Sequence, residues 1–148
     1  VSDRNERRLA KKAAGKELGR RGHTEQAFED LYARIPDPGC KGLCVDSCSI
    51  IRMHPFEELR LATAGVFLPT IDQAMDELAE TGEYHCPALV DGRCALYEIR
   101  PTICRLYGAV STLRCDYGCE PASGFLSEAE GQAIMTESKM IGPQTGRA

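Results

Sequence analysis

The sequence predicts a mainly α-helical small domain with one short β-hairpin, stapled by a cysteine-ligated metal. Three observations carry the prediction. Apolar residues recur at helical spacing in several segments, two of which open with capping boxes. A lone Asp91-Gly92 separates two short apolar runs, the strongest local signal for a hairpin. Eight cysteines stand in a chain of 148 residues.

The elements follow in order. Residues 1–22 carry eight Lys/Arg against three Asp/Glu, a net of +5, which leaves −9 for residues 23–148 against the total of −4. Arg4, Arg8, Lys12, Lys16 and Arg20 recur at every fourth position and would form one basic stripe on a helix. Like charges at that spacing repel, and Gly15 and Gly19 weaken the helix further. The segment is read as a basic tail or helix set apart from a cysteine-rich domain over 23–148. A solvated, frayed tail is favoured over a contact with nucleic acid or an acidic partner, because no base-reading motif accompanies the charge.

Phe28, Leu31, Tyr32 and Ile35 fall at i, i+3, i+4 and i+7, predicting a helix that stops before Pro36. Pro36-Asp37-Pro38-Gly39 reads as a turn. Pro55 suits the first turn of a helix running to about Ala64. Thr70 with Gln73 forms a capping box, with Ile71, Ala74, Met75 and Leu78 as the buried face and Gly82 as the stop. The hairpin spans Cys86 to Tyr97, and Pro101 opens a short helix carrying Ile103, Cys104 and Leu106. Residues 109–121 look irregular. Ser127 with Glu130 is a second capping box, starting a helix to about Ile141.

Composition bounds the function. One domain is expected from the length, and no apolar run approaches the ~20 residues a membrane-spanning helix needs. The first residues lack the apolar stretch of a secretory signal, so a cytoplasmic protein without membrane contact is expected. With no Trp and 6% aromatic residues, stacking platforms for nucleic-acid bases are a poor expectation.

The cysteines run C40-x3-C44-x3-C48 and, 37 residues on, C86-x7-C94-x9-C104-x10-C115-x3-C119. A reducing compartment argues against disulfides and for metal ligation, although both remain open, as do buried thiols. Thiolates supply negative charge and soft donors to thiophilic ions, so all eight cysteines are candidate ligands of an iron–sulfur cluster, such as 4Fe-4S, or of zinc. With Asp91-Gly92 as the turn, Leu89 pairs with Cys94, and strict alternation would point Cys86 and Cys94 to opposite faces. They converge only if Cys86 precedes the ladder, which Pro87 favours, or if a bulge intervenes; otherwise they belong to two centres.

There is no C-x2-C pair, no C-x-x-C-H, no P-loop and no G-x-G-x-x-G. The radical-cluster spacing C-x3-C-x2-C fails at Ser47. Among His23, His54 and His85, only His85 beside Cys86 is placed as an alternative ligand, and a hydrogen-bonded side chain is its commoner use. No carboxylate pair or nucleophile–base set marks a catalytic site. Asp46 and Glu98 lie near the cysteine blocks and read as solvated or capping acids.

Cys40-x3-Cys44-x2-Ser47-Cys48 followed by CPALVDGRCALYEIRPTICRLYG (86–108) resembles the YkgJ-like cysteine-cluster family of zinc- or iron-chelating proteins. Cys86-Pro87, Leu89, Cys94, Leu96-Tyr97, Arg100-Pro101 and Cys104-Arg105 match its second block in order and spacing. The resemblance covers about residues 40–107. It implies metal binding by Cys40, Cys44, Cys48, Cys86, Cys94 and Cys104. Arg100 and Arg105 are read either as offsetting the charge of a thiolate cluster or as making surface or helix-cap contacts. Ser47 stands where the family has a cysteine, and Cys115 and Cys119 lie outside its pattern as candidates to compensate. Larger relatives carrying the block include flagellin lysine methylases, whereas this chain is short for a catalytic domain. Two functions follow: an iron–sulfur protein for redox, sensing or group transfer, or a zinc-held interaction module. Catalysis by a cluster with an open coordination position is a third, less favoured reading.

Overall fold

The computed structural model describes residues 2–19, 22–42 and 50–141. In order these form α1 (Ser2–Gly19), α2 (Gly22–Tyr32), α3 (Pro55–Thr63), α4 (Ile71–Thr81), β1 (Leu89–Val90), β2 (Arg93–Cys94), a 3-10 turn (Tyr97–Ile99), α5 (Thr102–Leu106) and α6 (Glu128–Met140). The fold is mainly helical with one short antiparallel hairpin, as the periodicity and the Asp-Gly turn predict. None of the described helices is long and apolar enough to cross a membrane.

Local chemistry accounts for most boundaries. Thr70 Oγ1 accepts the Gln73 N–H at 3.1 Å while the Gln73 side chain accepts the Thr70 N–H at 2.9 Å, so two orphan donors of α4 are satisfied. Ser127 and Glu130 do the same for α6; by accepting the Ser127 N–H, the Glu130 carboxyl is held below the usual carboxylate range. Asp91 and Gly92 have φ of 51° and 75°. Positive φ at both central residues is the type I′ requirement, and the Leu89↔Cys94 register follows from it.

The start of α3 was not anticipated in this form. His54 is its N-cap: Nδ1 accepts the Phe56 N–H at 2.9 Å, which leaves the proton on Nε2 to be donated to the Ile141 carbonyl at 2.7 Å. One imidazole thus starts α3 and ties down the end of α6.

Two expectations are corrected. The N-terminal segment is not a frayed tail over residues 2–19. It is an 18-residue helix packed chiefly on α3, with Ala14 buried and Gly15 3.8 Å from Thr63 at its would-be Cβ. Small residues on the inner face permit this approach, and Arg4, Arg8, Lys12 and Lys16 keep their charges exposed; Arg20 lies outside the described residues. On α4, only Ala74 is buried, while Met75 and Leu78 stay exposed. The stripe has the right period, but no described element covers that part of the helix.

Two apolar clusters form the core. The larger gathers Phe28, Leu31, Tyr32, Phe56, Leu106, Val110 and Ile134 from α2, α3, α5, α6 and the strand-like link between Val110 and Leu126. Phe28 and Phe56 stack at 5.1 Å and are fully buried, contributing about 1.5–3 kcal/mol each. The smaller holds Leu61, Ala88 and Leu96, with Cys86 and Cys94 packed against it. A buried carboxylate braces the larger one. Glu57 Oε2 accepts from the Tyr32 hydroxyl at 2.6 Å, the Thr102 N–H at 2.5 Å and the Thr102 hydroxyl at 2.8 Å, which joins α2, α3 and α5. Burial and then the Glu57 charge push the Tyr32 hydroxyl well above the ordinary tyrosine range.

Candidate metal centre

The described cysteines come from separate parts of the chain. Cys40 lies in the exposed loop after Pro38, Cys86 in the turn before β1, Cys94 at the end of β2 and Cys104 on α5; Cys115 and Cys119 follow in the loop toward α6. All six line one cavity of about 480 Å³. The wall between them is apolar, with Leu61, Leu68, Leu96 and Ile103 among its members. Cys44 and Cys48 lie outside the described residues.

The hairpin problem resolves through the first of its three options. The ladder is only two residues per strand, and Cys86 precedes it in a turn closed by a Leu89 N–H to Cys86 carbonyl bond of 3.0 Å. Strict alternation therefore does not reach Cys86. It faces the same cavity as Cys94, close enough that the Cys94 charge helps to raise its pKa, although burial is the larger cause.

Several sulfurs already accept backbone hydrogen bonds. The Gly42 N–H donates to Cys40 Sγ at 3.3 Å and the Tyr117 N–H to Cys115 Sγ at 3.4 Å. The Ala88 N–H bonds the Cys86 sulfur and pulls its pKa down, against the burial. In each case the donor lies two residues after the cysteine. Cys119, which is buried, accepts from the Lys41 N–H at 3.3 Å, so the late cysteine loop is fastened to the residue after Cys40. Such donors stabilise a thiolate more than a thiol, and hydrogen bonds to sulfur are a recognised means of tuning thiolate-ligated metals.

No three His, Cys, Asp or Glu side chains among the described residues converge closely enough to hold a single metal ion. A tetrahedral zinc with Zn–S of about 2.3 Å requires sulfurs roughly 3.8 Å apart. Six cysteines line one larger space, and four of them, Cys40, Cys86, Cys115 and Cys119, accept a backbone N–H.

The other candidates separate cleanly. His85 is exposed, pairs with Glu83 at 3.1 Å and does not line the cavity. Asp46 lies outside the described residues. Glu98 is exposed and offers only its carbonyl, to Arg105 Nη2 at 2.9 Å. Arg100 lines the cavity, with its guanidinium 3.7 Å from the Tyr97 ring centroid. Arg105 does not. It lies over the Tyr32 ring at 3.9 Å and donates to the Arg100 carbonyl at 2.6 Å, so it clamps the backbone before α5. Tyr97 and Tyr107 are half-buried in the cavity wall.

Lys41 and Arg93, which no sequence pattern singles out, also line the cavity. Neither carries a cysteine pattern, although Cys40-x-Gly42 is a local sign of the N–H donor two residues on. No protein-family model, curated protein or solved structure matches the chain.

Proposed function

We propose that this chain is a cysteine-ligated metalloprotein of the cytoplasm holding one or two iron–sulfur clusters of the 4Fe-4S type for redox, sensing or group-transfer chemistry. The observation that carries the reading is the shared cavity: six cysteines from distant segments line one space. The resemblance of 40–107 to the YkgJ-like cysteine-cluster family supports the same assignment, with Cys44 and Cys48 as further ligands. When bound, such a group supplies one-electron redox chemistry or Lewis acidity. The chain's own part is to gather the thiolates, to offer them backbone N–H donors, and to surround them with Leu61, Leu96 and Ile103, which limit water. Arg100, with Lys41 and Arg93, contributes positive charge to the wall that carries the cysteines.

The test is metal and acid-labile sulfide analysis, with a visible spectrum, on protein purified without oxygen. Iron with matching sulfide and a brown colour is the expected result. Zinc without sulfide in a colourless sample would replace the cluster with a structural zinc module. Absence of any metal would overturn both.

The basic face of α1 supports a subordinate reading. Arg4, Arg8, Lys12 and Lys16 are exposed on a folded helix, which suits contact with a polyanion such as nucleic acid. Affinity for duplex or single-stranded nucleic acid that falls steeply with salt is the expected signature; none at low salt would remove the reading.

A further inference from the structure

The cavity is larger than one cluster needs, and apart from sulfur and the tyrosines the ionisable groups of its described lining are all cationic. A four-iron, four-sulfide cube has eight atoms; at no more than about 30 Å³ each, the liquid share of one water, it fills at most about half of the 480 Å³. The chain has more Asp/Glu than Lys/Arg, 22 against 18, yet the described lining includes Lys41, Arg93 and Arg100 and no carboxylate. Among the described residues, none of these three cations forms an ion pair. Arg100 is held by its own Nε bond to the Tyr97 carbonyl at 2.9 Å and by the Tyr97 ring. The rest of the wall is aliphatic or aromatic, with Leu68, Leu89, Leu113 and Tyr107 among it.

An apolar cavity of several hundred Å³ with a few cationic groups is the ordinary form of a site for a small organic anion. Four thiolates on an oxidised four-iron cube leave a net charge of −2, so three cations exceed what that group neutralises. We propose that the cavity binds a small organic anion with an apolar body, a carboxylate in the simplest case, beside the thiol wall. Its charged end meets Arg93, Lys41 and Arg100, and its body lies against the leucines. This inference rests on the reading above in one respect: the thiol wall is taken as filled by a cluster, which leaves the remaining volume to the anion.

The experiment uses the full chain, purified without oxygen, with iron and sulfide measured on each sample. Benzoate and hexanoate are titrated calorimetrically beside benzamide and hexanamide, which match them in shape and lack the charge. Saturable carboxylate binding is expected, with each amide at least about tenfold weaker. Arg93→Gln and Lys41→Gln should each weaken carboxylate binding about fivefold and leave both the amides and the iron content unchanged; Arg93 and Lys41 are exposed, so neither change threatens the fold.

Equal binding of acid and amide, or no saturable binding of either carboxylate to cluster-loaded protein, would overturn the proposal. Eight irons per chain without carboxylate binding would do so as well, because a second cluster would then fill the space. A sample without metal refutes the cluster and not the anion site, which the same titration still decides.

Discussion

Replacing Glu57 with Ala should destabilise the protein by about 3–5 kcal/mol, and the figure follows from what the carboxylate holds. Glu57 is 3% exposed and Thr102 1% exposed, so water cannot take over their hydrogen bonds without the structure opening. Removal leaves the Thr102 N–H, the Thr102 hydroxyl and the Tyr32 hydroxyl without their acceptor. A buried donor left unsatisfied costs about 1–3 kcal/mol. The two hydroxyls can rotate and recover part of the loss; the backbone N–H cannot, which sets the total in the lower part of the summed range of about 3–9 kcal/mol. At roughly 2–4 °C per kcal/mol for a chain of this size, the melting temperature should fall by about 6–20 °C. The effect should reach the proposed metal centre too, because Thr102 begins the helix that carries Cys104. The assay is thermal and urea unfolding without oxygen, with iron content measured in parallel. Glu57→Gln, which keeps one acceptor oxygen, should fall between wild type and the Ala variant. An Ala variant that melts within 2 °C of wild type would refute the claim that this network braces the fold.

Cys40→Ser and Cys104→Ser should each lose metal and lower stability; full metal content in both would contradict the ligand assignment. Tyr32 gives a pH prediction: its folded-state pKa is raised, so its contribution is fully present below the unfolded tyrosine value near 10 and is lost as pH rises above it. Unfolding free energy should therefore fall by up to about 1.4 kcal/mol per pH unit above pH ~10, and Tyr32→Phe should flatten that slope; an unchanged slope would assign the alkaline loss elsewhere. Gly131→Ala should destabilise by about 1–3 kcal/mol by overpacking, because the added Cβ would lie 2.9 Å from Val110 Cγ2. Its partner Gly131→Ala/Val110→Ala should recover part of the loss in the same melts, and no recovery would place the strain in α6 itself.

How far the fold was legible depends on range. Short-range chemistry reads directly: the Thr70 and Ser127 boxes, the Asp91-Gly92 turn and the Leu89↔Cys94 register are each decided by residues within a few positions. The N-cap role of His54 was missed because histidine is an uncommon cap, and its second bond is to Ile141, 87 residues away. The exposed Met75 and Leu78 show the other limit, since periodicity marks a face but not whether anything lies against it. At the centre, the cysteines were legible by type and number. That Cys86 joins Cys94 depended on a ladder shorter than alternation assumes. That Lys41 and Arg93 share the cavity, and that Arg105 leaves it for the Tyr32 ring, are long-range results with no local signature.

On the proposed reading, the same geometry gives a reason why thiols, and not more leucines, pack on the smaller half of the core. α3 spans both clusters, giving Phe56 to the larger and Leu61 to the smaller. The larger cluster is self-sufficient in kind: stacked rings, aliphatic neighbours and a satisfied buried carboxylate. The smaller has three buried members, and two of the side chains packed on it are Cys86 and Cys94. The hairpin that supplies them has four strand residues and would be marginal alone. Apolar burial there is slighter than in the larger cluster, and the Lys41-to-Cys119 bond joins only the outer loops. On the proposed reading, ligation supplies the missing cohesion. The thiolates would exchange protons for metal and add joints between segments distant in sequence, so folding of that half and assembly of the centre would become one equilibrium.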